Sequence, residues 1–461
     1  MPILAAFMVP HPPLIIPEVG RGGEEQIKDT SSAYERVAAI VADLKPETIV
    51  ITSPHATMYA DYFHISPGQA ATGSLHRFGA PQVKFLEEYD SELVETISYL
   101  AGKRDFPAGS LGEVDRELDH GTMVPLWFIR NVYKEGKIVR IGLSGLSLAD
   151  HYRLGQIIKE AVEMTDRKAV IVASGDLSHK LQEYGPYGYA PEGPVYDHRI
   201  MDVCSRGAFG ELFDFDEAFC ERASECGHRS FVIMAGTMDG QRVVSTRLSH
   251  QDVTGVGYGI CTFFPKEDDE KRHFLDIYED KLLKEVSEAR KQCDSYVQLA
   301  YASLESYILR KEIIDPPDDL PAEMINNQAG AFVSIHKKGR LRGCIGTIGP
   351  TTENIAKEII NNAISASTRD PRFEPITSDE LKYLEVNVDI LEEPEYISSM
   401  DELDVKKYGV IVTSGMKRGL LLPDLDGVDS VEQQVSIAMQ KGGIDQDEEI
   451  QLQRFKVTRH T

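Results

Sequence analysis

Three short apolar runs in the first half of the chain each end in a histidine, and this repeated pairing most constrains the fold. His11 follows the run PILAAFM, His55 follows ETIVIT, and His179 follows KAVIVA. Short runs rich in Val and Ile, separated by helical patterns, are typical of strands in a mostly parallel, doubly covered sheet. Such sheets bind ligands in the crevice outside the carboxyl ends of their strands. The pattern therefore predicts that the three imidazoles lie at one sheet edge and form a site.

The first part of the chain is predicted to have an α/β fold, with a mostly parallel central sheet covered by helices. Strands are expected at residues 3–8, 48–52, 138–143, 169–173, 243–248 and 256–264, and helices at 26–44, 91–101 and 148–164. The charge run at residues 265–272 indicates a boundary. The remainder combines a hairpin signal, helical patterns and an alternating strand, which predicts a smaller α+β domain. We expect domains at 1–265 and 294–461, joined by a charged, helical linker at 266–293.

Charge and length exclude several classes of protein. The chain has 461 residues, enough for two or three domains, and its net charge of −25 opposes binding to nucleic acids and to anionic membranes. No apolar stretch reaches the roughly 18–20 residues that span a bilayer. The six cysteines lack CxxC spacing, which predicts reduced thiols and a cytoplasmic protein. Homo-oligomerisation is compatible with these features.

His11 and His55 are the primary candidates for metal ligands, because each follows a strand and a proline on a rigid turn. Neutral imidazole suits iron, zinc, copper and nickel alike. The segment at residues 223–230, ASECGHRS, offers the third ligand. Glu225 would complete a triad of two histidines and a carboxylate that leaves positions open for substrate and dioxygen, although it would equally serve at a helix start. Cys226 competes with it, and a thiolate would favour zinc or copper.

Two further histidines occupy polar motifs. His120 lies in LDHGT and His179 in GDLSH, each with an aspartate nearby. Histidine titrates near neutrality and moves protons in either direction, so both are candidates for acid–base catalysis. The alternatives are that they orient the metal ligands or are hydrogen-bonded structural residues.

These motifs together resemble the class III extradiol ring-cleavage dioxygenases, the family of the protocatechuate 4,5-dioxygenase catalytic subunit. The matching segments are Pro10-His11-Pro12, Ser53-Pro54-His55, Asp119-His120-Gly121-Thr122 and Gly175-Asp176-Leu177-Ser178-His179. The resemblance spans most of residues 1–264 and implies a non-haem Fe(II) oxidoreductase that cleaves a catechol-like aromatic with dioxygen. It implies that His11, His55 and Glu225 bind the iron. His120 and His179 would then face the substrate, with His179 as the acid–base residue.

The segment Cys226-Gly227-His228-Arg229 also resembles a Cys-Gly-Arg-like segment of the Memo-type proteins. Those proteins share the dioxygenase fold without established ring cleavage, and there the segment supplies a third metal-site residue. This resemblance implies a metal-binding component, with zinc or copper as alternatives to Fe(II). A third class, metal-dependent hydrolysis, needs only a zinc-bound water and a histidine base.

The second half resembles the AMMECR1 domain over roughly residues 294–455. Its matching segments are Leu341-Arg342-Gly343-Cys344-Ile345-Gly346, Asp370-Pro371-Arg372-Phe373 and Gly419-Leu420-Leu421-Leu422-Pro423. The resemblance is to the A component of the AmmeMemoRadiSam system, which groups this domain with a Memo-like protein and a radical SAM enzyme. It therefore implies a radical SAM protein as a partner.

Cys344, Arg342 and Arg372 form a candidate site in the second half. Arg340 and Arg342 flank the cysteine in sequence, and neighbouring guanidinium groups would favour its reactive thiolate form. The alternative is a small buried apolar side chain in a strand. Arg372 lies in a predicted turn, where it would form an ion pair or bind a ligand.

Overall fold

The computed structural model describes residues 2–425 and 427–461. It divides into two compact units, the first ending at Tyr278 and the second beginning at Glu279. This division falls inside the segment predicted as a linker, and the limits expected at 265 and 294 remain a prediction. Among the described residues, no helix combines the length and apolarity that crossing a membrane would require.

The first unit contains ten strands and eight complete helices among its described residues. The strands are β1 (Ile3–Val9), β2 (Thr48–Ser53), β3 (Phe63–His64), β4 (Ala70–Leu75), β5 (Ala80–Glu88), β6 (Ala108–Gly109), β7 (Lys137–Gly142), β8 (Ala169–Ser174), β9 (Gln241–Gln251) and β10 (Tyr258–Asp268). The helices are α1 (Pro17–Gly20), α2 (Lys28–Leu44), α3 (Ser91–Lys103), α4 (His120–Val132), α5 (Leu148–Met164), α6 (Glu192–Arg206), α7 (Glu217–Ala223) and α8 (His228–Gly236). Helix α9 (Phe274–Gln292) has its first five residues in the first unit.

The central sheet of the first unit has the strand order β7-β2-β8-β1-β10-β9. The pairings β7-β2, β2-β8 and β8-β1 are parallel, whereas β10 runs antiparallel to both β1 and β9. Every residue of β2 and β8 is buried, because helices cover both faces: α3, α5 and α8 pack on one side, and α2 and α4 on the other. The predicted α/β class with a mostly parallel sheet is confirmed.

The second unit is built from antiparallel sheets and helices, as predicted for an α+β domain. Its strands are β11 (Ala331–Lys337), β12 (Arg340–Gly346), β13 (Leu384–Leu391), β14 (Glu395–Ile397), β15 (Gly409–Ser414), β16 (Lys417–Leu421), β17 (Gln451–Phe455) and β18 (Val457–His460). Its helices are α10 (Ser295–Arg310), α11 (Ala322–Asn326), α12 (Ile355–Thr368) and α13 (Val431–Gly442). The two four-stranded sheets have the orders β12-β11-β13-β18 and β14-β17-β15-β16.

The sequence has a long helical pattern at about residues 276–309, and the structure divides this segment into two helices. Helix α9 ends at Gln292, and α10 begins after Asp294, whose carboxylate accepts hydrogen bonds from the backbone N–H groups of Tyr296 and Val297. An aspartate in this position satisfies N–H groups that have no partner within the helix, and so starts a new helix inside an otherwise continuous pattern.

Candidate metal centre

Three neighbouring parallel strands deliver the histidines to one edge of the central sheet. Strand β8 lies between β1 and β2, and all three point in the same direction. Their carboxyl ends therefore meet at one edge, where His11 follows β1, His55 follows β2 and His179 follows β8. This is the arrangement expected from the three apolar runs.

His11, His55 and Cys226 bring three donor atoms together at this edge. Nε2 of His11 lies 3.0 Å from Nε2 of His55 and 3.6 Å from Sγ of Cys226. All three donor atoms lie within 4.8 Å of one another. Two nitrogens bound to one metal at about 2.1 Å and at a right angle stand about 3.0 Å apart. The three residues therefore have the spacing of ligands that share one metal ion.

Ser174 fixes which nitrogen of His11 faces this cluster. Its hydroxyl donates to the backbone carbonyl of Gly121 at 2.6 Å, so its oxygen is left to accept the proton of His11 Nδ1 at 2.9 Å. The lone pair of His11 is then on Nε2, which points toward His55 and Cys226. A buried hydrogen bond that selects the tautomer and the ring orientation is the usual companion of a metal-binding histidine.

The protonation of the cluster also suits a metal. Burial lowers the pKa of His11, and the pKa of His55 is lowered to about 3, first by withdrawal from water and then by the neighbouring rings of His11 and His120. Both imidazoles are therefore neutral at pH 7 and offer lone pairs. Burial, with the nearby negative charge of Asp176, raises the pKa of the Cys226 thiol well above its ordinary value. A bound cation would offset that cost and stabilise the thiolate.

Two glycines allow Cys226 to reach the end of β8. A Cβ atom added to Gly175 would lie 2.1 Å from Cα of Gly227, so the two backbones touch where neither residue has a side chain. This approach lets the backbone N–H of Asp176 donate to Sγ of Cys226 at 3.3 Å. The turn that leads to the cysteine starts at Ser224, which has a left-handed backbone with φ of 58°.

Glu225, our first choice for the third ligand, has a different position in the structure. Its carboxylate accepts a hydrogen bond from the backbone N–H of His228 at 2.6 Å and one from the Tyr196 hydroxyl at 3.5 Å. It thus lies on the first N–H group of α8, where the positive end of the helix dipole favours a carboxylate. The group of donor atoms contains Cys226 in its place. The structure therefore places Glu225 at the start of α8 and outside the group of three donor atoms, and Cys226 is the candidate for the third ligand in this geometry.

His120 stacks on one of the candidate ligands. Its ring lies 4.0 Å from that of His55, measured between centroids, and 5.4 Å from that of His11. Its pKa is lowered to about 4, first by burial and then by the proximity of His11. Asp119, the residue before it, caps α4 and accepts a hydrogen bond from the Ser53 hydroxyl, so the β2 loop and the start of α4 are joined.

His179 forms a pair with Asp176. Nε2 of His179 lies 3.8 Å from the Asp176 carboxylate, which also accepts the backbone N–H of His11 at 2.7 Å. Burial alone lowers the pKa of His179, but the nearby negative charge of the Asp176 carboxylate outweighs the loss of water, and the pKa is raised. An imidazole that holds a proton more firmly than usual suits acid–base chemistry.

The structure adds three residues to the site that the sequence analysis did not assign. Asp176 is the first, and its signal was its place in the strand-end loop, three residues before His179. The ring of Phe78 lies 5.2 Å from His120, and the ring of Tyr187 lies 5.1 Å from His179. Neither aromatic residue follows a strand of the central sheet, so no sequence pattern pointed to them.

The candidate site of the second unit is only partly assembled as predicted. Arg342 pairs with Glu380 at 3.0 Å and does not contact Cys344 in the described hydrogen bonds. Arg372 takes the position next to the cysteine: it pairs with Asp370 at 2.7 Å and donates to the backbone carbonyl of Cys344 at 3.2 Å. The Asp370 carboxylate also accepts the backbone N–H of Cys344.

Comparison with known proteins identifies two families along the chain. Residues 5–261 match the family described as catalytic LigB subunit of aromatic ring-opening dioxygenase, and residues 297–460 match AMMECR1. A protein of Clostridium acetobutylicum is 42% identical over 98% of both chains. A Thermotoga maritima protein is 50% identical over 36% of this chain and 96% of its own. The crystal structure of an uncharacterized protein from Pyrococcus horikoshii aligns with 30% identity over 36% of this chain and 88% of that chain, with a TM-score of 0.33.

Proposed function

Because the chain belongs to the family of the catalytic LigB subunit of aromatic ring-opening dioxygenases, with an AMMECR1 domain in its second half, we propose that its first unit is a metal-dependent oxidoreductase that cleaves a catechol-like aromatic with dioxygen. One observation carries the proposal. The donor atoms of His11, His55 and Cys226 converge at the sheet edge, beside the His179–Asp176 pair. A metal site next to an acid–base group is what this chemistry requires.

His11, His55 and Cys226 would hold Fe(II), the metal that the family resemblance implies. When bound, iron supplies a Lewis acid for the two phenolic oxygens and electron density for dioxygen. Ring cleavage places both oxygen atoms of dioxygen in the product and breaks one ring C–C bond, so the reaction needs no further reductant.

The chain's own residues would move the protons. The imidazole of His179 accepts the proton of a phenolic hydroxyl, and the nearby carboxylate of Asp176 stabilises the imidazolium that forms. The same proton is then available to the oxygen that develops negative charge as the ring opens. His120, neutral because its pKa is about 4, orients the substrate by a hydrogen bond.

The aromatic rings beside the site support a flat aromatic substrate. Phe78 lies against His120 and Tyr187 against His179, so each of the two histidines has an aromatic neighbour. Aromatic pairs prefer offset or edge-to-face contacts with centroids about 4.5–7 Å apart, and a catechol ring would have two such partners.

Oxygen uptake tests the proposal. The full chain, loaded with Fe(II) under anaerobic conditions, is mixed with a panel of catechols and oxygen consumption is followed together with the absorbance of the ring-opened product. His179→Ala is expected to lower turnover by about 10²- to 10⁴-fold while metal content is unchanged. His198→Ala removes an exposed histidine from α6 and serves as the control. Iron-loaded protein that consumes no oxygen with any catechol would contradict ring cleavage.

A second function is favoured by the thiol in the ligand set. Cys226 replaces the carboxylate of the dioxygen-activating triad, and a thiolate favours zinc or copper. The first unit would then be a Memo-like metal-binding component that works with a radical SAM partner and cleaves no ring. Cys226→Asp restores a carboxylate donor and separates the two functions. If only this variant consumes oxygen with catechols, the wild-type site belongs to the second function, and capture of a radical SAM protein from the native host would support it.

A further inference from the structure

A cavity of about 670 Å³ lies within the second unit and is lined by residues of that unit alone. Its floor is one face of the sheet β12-β11-β13-β18, including Ser334 and Cys344, and its opposite wall includes Leu420 and Leu422. Arg372 and Lys441 also line it. Binding sites for small molecules are typically clefts of about 300–1,000 Å³ with mostly apolar walls and a few polar groups, and this cavity has that size and lining.

A bulge in β12 turns the cysteine toward the cavity and the neighbouring arginine away from it. Strand β11 pairs Ile335 with Gly343 but His336 with Leu341, so Arg342 is the extra residue in β12. The one-residue offset puts Leu341 on the same face as Cys344, and both line the cavity. The opposite face packs on α12, because a Cβ atom added to Gly343 would lie 2.1 Å from the carbonyl oxygen of Ala366.

The Cys344 thiol is accessible and has polar neighbours. It is partly exposed, and the Ser334 hydroxyl donates to its sulfur at 3.2 Å. Arg372 is held next to it by Asp370, and the guanidinium group interacts with the thiol as well as with the backbone carbonyl of Cys344. Lys441 is close enough to both groups for their charges to act on it.

The positive charges of the cavity are unevenly compensated. Arg459 pairs with Asp389 at 2.8 Å, and Arg372 pairs with Asp370 at 2.7 Å. Within residues 2–425 and 427–461, no ion pair of Lys441 with a carboxylate is found. An uncompensated ammonium group beside a thiol is conspicuous in a chain whose net charge is −25.

The position of Lys441 in its helix does not explain its orientation. It lies in the last turn of α13, where the negative end of the helix dipole favours a cation. That effect accounts for a lysine in this turn but does not require its side chain to line the cavity. Lys441 is an exposed residue that also lines the cavity containing Cys344, where partial loss of water and the charge of Arg372 lower its pKa. A bound anion would offset both effects.

We propose that this cavity binds a small amphipathic monoanion, with its charge between Lys441 and Arg372, its apolar part on Leu420 and Leu422, and the Cys344 thiol facing it. The anionic group is a carboxylate or a phosphate. Arg372 uses Nε and one terminal nitrogen for Asp370 and the backbone carbonyl of Cys344, which leaves the N–H donors of its other terminal nitrogen for the anion. Lys441 supplies the charge that is not yet compensated.

Two alkylating reagents of similar size test the charge preference. Iodoacetate is an anion and iodoacetamide is neutral. Each forms a bond from sulfur to its CH₂ carbon, with loss of iodide and transfer of the thiol proton to water. Alkylation of the full chain is followed by mass spectrometry of the peptide that contains Cys344. We expect the rate ratio of iodoacetate to iodoacetamide to exceed that of glutathione by about fivefold, because a neighbouring cation attracts the anionic reagent.

Substitutions of lysine residues test whether the preference of Cys344 for the anionic reagent comes from the cavity. Lys441→Gln should reduce the rate ratio to that of glutathione, and Lys441→Arg should retain it. Lys456→Gln is the matched control, because it removes the same charge from an exposed residue of the second unit that does not line the cavity. Equal ratios in Lys441→Gln and the wild type would overturn the proposal, as would a Cys344 that reacts with neither reagent.

The apolar wall is tested by protection. Acetate, butyrate and hexanoate are added at equal concentration and ionic strength while iodoacetamide labels Cys344. Protection that increases with chain length is expected, since each added CH₂ group buried against Leu420 and Leu422 contributes to binding. Protection that is absent, or equal for all three acids, would overturn the assignment of an amphipathic ligand.

Discussion

At the scale of single residues, Ser174 determines which nitrogen of His11 faces the candidate metal centre. Its oxygen accepts the Nδ1 proton of His11 only because its own proton is used by Gly121. Within the candidate site, the Ser174 hydroxyl bonds to Nδ1 of His11, which is not one of the three donor atoms. Its effect is therefore on the tautomer and the orientation of the His11 ring. Residues of this kind contribute to metal affinity without being ligands.

Ser174→Ala should weaken metal binding by about 10- to 100-fold, because it leaves a buried Nδ1–H group without a partner and frees the ring to change tautomer. The measurement is a competition titration with a chromophoric chelator. Thr52→Val is the matched control, since Thr52 is a buried hydroxyl on the adjacent strand β2 for which no hydrogen bond is found among the described residues. Equal losses of metal affinity in both variants would mean that the hydrogen bond from His11 to Ser174 has no specific effect on metal binding.

The contribution of the Asp370 carboxylate to the free energy of unfolding should depend on pH. Hydrogen bonds from Arg372, together with the backbone N–H of Cys344, lower its pKa from 3.8 to about 2. A carboxylate whose pKa is lower in the folded state stabilises the fold above its unfolded pKa and loses that contribution as the pH falls through the folded value. Asp370→Asn should therefore lower the free energy of unfolding by about 2 kcal/mol at pH 7.

The difference between Asp370→Asn and the wild type should narrow as the pH falls from about 4 towards about 2, the interval between the unfolded and folded pKa values. Calorimetric unfolding of both full-length proteins at a series of pH values measures it. A difference that is constant from pH 7 to pH 3 would mean that Asp370 acts through its shape and hydrogen bonds rather than through its charge.

The sequence alone does not decide whether Glu225 or Cys226 lies beside the two histidines. His11 and His55 each follow a strand that the sequence makes clear, so their meeting at the sheet edge followed from topology. Glu225 and Cys226 are adjacent in one loop, and which of them faces the edge depends on the left-handed backbone of Ser224 and on the contact between two glycines. Neither feature has a sequence signal strong enough to predict which of the two side chains faces the sheet edge.

At the scale of elements, the contact between Gly175 and Gly227 fixes the distance between the β8 loop and the start of α8. Gly175→Ala would place a Cβ atom 2.1 Å from Cα of Gly227, so the backbone that carries Cys226 must shift. We expect a loss of about 1–3 kcal/mol in the free energy of unfolding, as for other overpacked sites. Metal affinity should fall as well, because Sγ of Cys226 leaves the two imidazoles.

Denaturant unfolding and metal titration of Gly175→Ala measure the two effects. Gly102→Ala is the control, because a Cβ atom added to this glycine in α3 meets no atom within 4 Å and alanine favours a helix. If Gly175→Ala binds metal as tightly as Gly102→Ala, the close approach of the two loops is not needed for the site.

Regular elements were predicted well, and departures from regularity were not. Continuous Val and Ile runs gave the strands of the central sheet, and helix α5 begins and ends where the sequence pattern placed it, at residues 148 and 164. In β12, a simple alternation of side chains would put Arg342 on the same face as Cys344. The bulge at Arg342 reverses that relation, and it arises from pairing with β11, which the sequence of β12 alone does not contain.

At the scale of the whole molecule, metal binding should stabilise the first unit selectively. The chain has one tryptophan, Trp127, and it lies on α4 of the first unit, so its fluorescence reports the unfolding of that unit. A ligand present at 100 times its dissociation constant stabilises the folded state by about 2.7 kcal/mol. Zinc, which has no redox chemistry, is a suitable probe for this measurement.

Adding zinc should raise the temperature at which Trp127 fluorescence changes, and removing it with a chelator should reverse the shift. Cys226→Ser should show no shift at the same zinc concentration, because one of three donor atoms is lost. A shift of equal size in Cys226→Ser and in the wild type would place the stabilising zinc elsewhere in the chain.

The central claim is that His11, His55 and Cys226 hold one metal ion, and metal content tests it most directly. The full chain, Cys226→Ser, Glu225→Gln and His11→Ala are purified without oxygen, loaded with Fe(II), freed of excess metal and measured by mass spectrometry. We predict close to one iron per chain in the wild type and in Glu225→Gln, and little in Cys226→Ser and His11→Ala. Iron retained by Cys226→Ser but lost from Glu225→Gln would contradict this ligand set.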